Sequence, residues 1–128
     1  MLKGKVAIVT GGTRGIGYAI VKKYLENGAT VVLFGSRQET VDKAIASLKA
    51  ENPAWTVDGA CPSLTDAAAV EEAVKAVAAK YGRLDILVNN AGISDSTPTE
   101  KVTAEQFDKV IKLNVNAIMY AVMAAVKI

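Results

Sequence analysis

Two stretches of this chain, residues 6–10 (Val-Ala-Ile-Val-Thr) and 30–34 (Thr-Val-Val-Leu-Phe), run almost wholly apolar, and each is followed by a longer segment with helical spacing. A short β-branched run of this kind matches burial on both faces of a parallel sheet, whereas a sheet with one wet face would alternate apolar and polar residues. The pattern repeats four times: residues 6–10 before 16–26, 30–34 before 39–50, 56–60 before 66–81, and 86–89 before a helix starting at Thr103. Four consecutive strand–helix units predict an α/β fold with helices on both sides of a doubly wound, Rossmann-type parallel sheet.

The boundaries carry their own chemistry. Glycine follows Asn27 and Tyr81, where helices end in a left-handed residue. Thr103 with Gln106 makes a capping box, and Asp66 precedes a helical stripe of Val70, Val74, Val77 and Tyr81. With 51% hydrophobic and 22% charged residues the composition is globular, and no repeat, low-complexity stretch or linker divides residues 1–128, which read as one domain. The net charge is +2 with no concentrated Lys/Arg run, which argues against nucleic-acid and membrane partners. The longest apolar stretch, 117–126, is about half of what a bilayer requires. The single cysteine, Cys61, has no internal disulfide partner, and no signal-peptide pattern precedes Val6; both point to a reducing cytoplasm.

The first strand passes directly into Thr10-Gly11-Gly12-Thr13-Arg14-Gly15-Ile16-Gly17 and then into a helix. A dinucleotide pyrophosphate needs a tight strand-to-helix turn, close approach of the backbone, and N–H groups at a helix N-terminus aimed at its oxygens. Glycine removes the obstructing Cβ. The spacing is Gly-x-x-x-Gly-x-Gly, so Gly11, Thr13, Arg14, Gly15, Ile16 and Gly17 are candidate cofactor-binding residues. After the second strand comes Gly35-Ser36-Arg37, where the adenosine ribose arrives in this architecture. An acidic residue there would bind the 2′-hydroxyl of NAD, whereas Ser36 and Arg37, with Arg14 in reach, suit the 2′-phosphate of NADP. NADP is favoured, with NAD as the alternative; Arg37 could also be a solvent-facing loop arginine.

Together with the glycine-rich turn, Asn89-Asn90-Ala91-Gly92 and Leu113-Asn114-Val115 resemble the short-chain dehydrogenase/reductase family in sequence and order. The likeness covers nearly the whole chain, including the phrases at 4–9 and 81–88. It implies strand order 3-2-1-4, with the family's fifth strand falling beyond Ile128, and hydride transfer between nicotinamide and a small-molecule alcohol or ketone. It implies further that Asn90, Ala91 and Gly92 close the wall on the adenosine-ribose side, and that Leu64 lies near the adenine. At Ser63 many family members carry an Asp that approaches the adenine. Asn114 resembles the family's helix-kinking catalytic asparagine, which helps hold a proton-relay water. Its physical basis is that a polar side chain within an apolar helix must find a partner, and opening the backbone ladder to a water would supply one; a cap or surface pairing with the nearby Asn116 is the alternative.

The family's remaining catalytic groups, a Ser and a Tyr-x-x-x-Lys pair, follow the fifth strand and are not among these residues. Tyr18 and Lys22 match the letters, but they sit on the first helix and are expected to pack beside the sheet away from the nicotinamide. There is no histidine, no metal-ligand spacing, and Asp58 and Asp95 read as solvated charges. The fourth strand, 85–89, is expected to be an apolar edge. The last helix, from Ala117 to Val126, has almost no polar face, which together with the family predicts a homo-oligomer, a dimer or tetramer. Two readings result: the cofactor-binding part of a complete dehydrogenase/reductase, or a half-Rossmann module that binds nucleotide without turnover. Phrases around Gly35 and Gln38-Glu39 resemble bacterial hydroxysteroid and sugar-acid dehydrogenases of the family, and no substrate follows from them.

Overall fold

A computed structural model describes residues 1–92 and 97–128. Its parallel strands lie in one sheet in the order β3-β2-β1-β4, the order that the family resemblance implies. Along the chain these are β1 (Val6–Thr10), α1 (Gly15–Glu26), β2 (Thr30–Phe34), α2 (Gln38–Glu51), β3 (Val57–Ala60), α3 (Ala67–Tyr81) and β4 (Ile86–Val88). A 3₁₀ turn at Thr99–Lys101 leads into α4 (Ala104–Ile111), a π-helical turn at Lys112–Asn116, and α5 (Ala117–Ala125).

Side chains of the central strands alternate between two cores. Ala7, Val9, Val31 and Leu33 pack with Val21 and Leu25 of α1 and Val41 and Leu48 of α2. Val6, Ile8, Val32 and Phe34 pack with Val70, Val74 and Val77 of α3 and Ala121 and Ala124 of α5. Both faces of β1 are therefore dry, which is why its sequence shows no polar alternation. The outer strands depart from that rule: β3 is half-buried beyond Val57, and β4 is half-buried throughout, because each pairs on one side only.

Capping follows the sequence. The Asp66 side chain accepts from the N–H groups of Ala68 and Ala69 at 3.1 and 3.2 Å. The Gln106 N–H donates to Thr103 Oγ1 at 3.1 Å while the Thr103 N–H donates to Gln106 Oε1 at 2.8 Å. Gly82 closes α3 with φ 77°, a left-handed value.

One expectation fails. Asp58 is not a solvated charge: it accepts from Lys80 Nζ at 2.6 Å and from the Tyr81 hydroxyl at 3.4 Å, fastening β3 to the end of α3. The hydrogen bond from Lys80 holds its carboxyl below the usual range. Asp95 lies outside the described residues.

Candidate functional site

A cleft of about 640 Å³ opens where the chain leaves the C-terminal ends of β1, β2 and β3. In an open α/β sheet this is the side on which ligands bind. Of the residues expected there, Gly11, Thr13, Arg14, Gly15, Ser36 and Leu64 line it, as do Ala91 and Gly92. Ile16, Gly17, Arg37, Asn90 and Asn114 are outside its lining.

The glycine-rich turn has the shape its residues imply. Gly15 opens α1 with φ 58°, and a Cβ there would meet nothing within 4 Å, so the space above the helix start is clear. Gly17 is buried inside the turn instead: a Cβ on it would collide with the carbonyl oxygen of Gly11. That same oxygen accepts from Asn90 Nδ2 at 3.2 Å, so Asn90 braces the turn from behind.

Charge is sparse. Arg14 is the only charged residue among the described residues lining the cleft. It is the N-cap of α1, Arg37 is the N-cap of α2, and neither gives a side-chain capping bond. α3 and α4, by contrast, are capped by Asp66 and Thr103. α1 thus starts at the cleft and α2 two residues after its lining residue Ser36, each with an arginine at its dipole end and no side-chain acceptor in the capping position, an arrangement suited to anions.

The other wall is formed by the chain after β4. The Asn90 and Ala91 N–H groups each donate to Thr10 Oγ1 at 3.0 Å, and the Thr10 hydroxyl reaches the Val88 carbonyl at 3.4 Å. Beyond it, Asn114 sits within the π-helical turn, where the regular backbone ladder of the helix is interrupted. A Cβ on Gly92 would stand 3.2 Å from Asn114 Oδ1, so glycine there lets the π turn approach. The turn also carries Leu113 to the cleft.

Comparison with known proteins decides the lineage. The family model described as short chain dehydrogenase matches residues 5–128. The chain belongs to the short chain dehydrogenase family. It is 55% identical over its whole length to a 3alpha-hydroxysteroid dehydrogenase of Mediterraneibacter gnavus, covering 51% of that protein. It is 36% identical over 126 residues to a gluconate 5-dehydrogenase of Gluconobacter oxydans, covering 98% of this chain and 48% of that one. Among solved structures it resembles a short chain dehydrogenase from Burkholderia cenocepacia in complex with NADP, with TM-score 0.90, 37% identity, and coverage of 98% of this chain and 51% of that chain. The chain spans about half the length of the curated relatives it matches.

Within this short chain dehydrogenase fold the Tyr18/Lys22 pair is structural, as expected. The Tyr18 hydroxyl donates to Ser47 Oγ at 3.0 Å and Lys22 Nζ pairs with Glu51 at 2.7 Å, so both side chains tie α1 to α2. Sequence reasoning passed over three features. Thr10 reads in the sequence only as part of the turn, and its clasp joins groups some eighty positions apart. The wall formed by Cys61, Pro62 and Thr65, beside Ser63 and Leu64, follows a strand too weakly patterned to aim its loop. Asp85 carries a bidentate bond from Arg83, both distances 2.7 Å, and accepts the Val6 N–H at 2.9 Å, extending the β1–β4 ladder. Only the Arg-x-Asp spacing at 83–85 could have signalled it. Among the described residues, no group of three or more His, Cys, Asp or Glu could hold a metal, and no helix is long and apolar enough to cross a membrane.

Proposed function

We propose that this chain supplies the cofactor-binding portion of an NAD(P)-dependent oxidoreductase that prefers NADP and acts on a small-molecule alcohol or ketone. The observation that carries the reading is the cleft bordered by two helix starts, α1 and α2, with arginine N-caps that make no side-chain capping bond. A pyrophosphate fits the first, above the open face of Gly15, and a ribose 2′-phosphate fits the second, beside Ser36 and Arg37. Leu64 offers an apolar surface for the adenine, while Ala91 and Gly92 form another part of the lining and Asn90 braces the glycine-rich turn. When bound, the dinucleotide would accept a hydride from an alcohol or give one to a ketone. Asn114, set in the π turn against Gly92, is the residue of this chain suited to holding a water near the nicotinamide end. Family membership and the NADP named with the Burkholderia structure support the cofactor, and the Mediterraneibacter relative makes a hydroxysteroid the first substrate to assay. We further propose that two copies associate through the apolar face of α4 and α5, where Phe107 is 59% and Met119 56% exposed. A reducing cytoplasm suits the free Cys61.

Fluorescence titration of the intact protein with NADPH and NADH tests the assignment. NADPH is expected to bind at least about tenfold tighter, and Arg37→Ala is expected to weaken NADPH by about tenfold or more while leaving NADH unchanged, because a charge-assisted bond to phosphate is lost. Equal binding of the two nucleotides, or an Arg37→Ala effect shared by both, contradicts the NADP preference. Binding without hydride transfer to any alcohol or ketone would favour a nucleotide-binding module over an enzyme.

A further inference from the structure

One wall of the cleft is the loop between β3 and α3, and its polar side chains are hydroxyls and a thiol. Ser63 Oγ and Thr65 Oγ1 lie 3.3 Å apart, and either can be the donor. Both residues line the cleft and both are exposed. The Cys61 thiol on the same wall is directed to Gln38 Oε1 at 3.4 Å. No carboxylate is among the described residues lining the cleft.

With the pyrophosphate at the start of α1 and the ribose beside Ser36 after β2, the base comes next in line, against Leu64 and this hydroxyl pair. A carboxylate can only accept hydrogen bonds, so it would welcome the 6-amino group of adenine and repel a 6-oxo group. A hydroxyl rotates to donate or accept. Whichever way the Ser63–Thr65 bond runs, one O–H remains free to donate outward and lone pairs remain free to accept.

We infer that Ser63 and Thr65 make the cleft tolerant at the purine 6-position, so that a hypoxanthine dinucleotide binds nearly as well as the adenine form. The inference rests on the nucleotide reading above and concerns how that site selects its base. Calorimetric titration of the intact protein with NADPH and with its deaminated, hypoxanthine-containing analogue tests it. The two dissociation constants are expected to agree within about fivefold, and Ser63→Asp is expected to open a preference of about tenfold or more for the adenine form by opposing the 6-oxo group. A larger wild-type preference for adenine overturns the inference while leaving nucleotide binding intact, as does a Ser63→Asp protein that binds NADPH but shows an unchanged ratio. Failure of the wild-type protein to bind either nucleotide overturns both readings.

Discussion

Thr10 is the one buried polar side chain among the described residues, 3% exposed, and its oxygen accepts the N–H groups of two consecutive residues. Thr10→Val keeps the shape and strands both donors, so it is expected to destabilise the protein by about 2 kcal/mol, with Thr10→Ser recovering most of the loss; denaturant titration measures both. At Gly17 the constraint is steric. Gly17→Val forces the start of α1 away from the Gly11 carbonyl, at a cost of about 1–3 kcal/mol and with marked loss of NADPH affinity, read by melting and titration together. The two residues differ in how well sequence foretells them. The Gly15 and Gly17 spacing announces a phosphate turn because glycine has few other reasons to recur there, whereas a threonine ending a strand has many, and its partners Asn90 and Ala91 are distant in the chain.

At the scale of elements, β1 and β2 were legible to the residue because burial on both faces leaves an apolar run broken only by a threonine at one end. The helix from Thr103 was legible at its start, through the capping box, and the π turn falls at Asn114, where a local opening was expected. Asp58 was misread and the role of Asp85 missed because a carboxylate's partners are set by packing: Lys80 and Tyr81 for one, Arg83 and the Val6 N–H for the other. Asp85 yields a pH prediction. The Arg83 hydrogen bond, joined by the Val6 N–H, lowers its carboxyl to about 2. A carboxylate depressed in the folded state adds stability that is complete above its unfolded value of about 3.9 and is lost as the pH falls through the folded one. Melting temperatures of the wild type and Asp85→Asn are therefore expected to differ above about pH 4 and to converge near about pH 2. A difference that is constant across that window contradicts the role given to Asp85.

Across the whole molecule, the sheet brings the glycine-rich turn, the starts of α1 and α2, and the chain after β4 to one end, and the cleft is their meeting place. The other notable surface is apolar. α5 buries Ala117, Ala121 and Ala124 and leaves Met119 and Met123 at 56% and 50% exposure, with Val126 just after it at 76%. Those side chains are expected to bury against a second copy, so light scattering should give the intact protein the mass of a dimer or tetramer, and Met119→Glu should shift it toward monomer. A wild-type monomer at high concentration contradicts that assembly. The central claim concerns the cleft, and a crystal structure of the intact protein grown with NADP tests it most directly. The pyrophosphate is expected above Gly15 at the start of α1, with the 2′-phosphate bonded to Ser36 and Arg37. A nucleotide bound elsewhere, or one whose 2′-phosphate avoids Arg37, would contradict it.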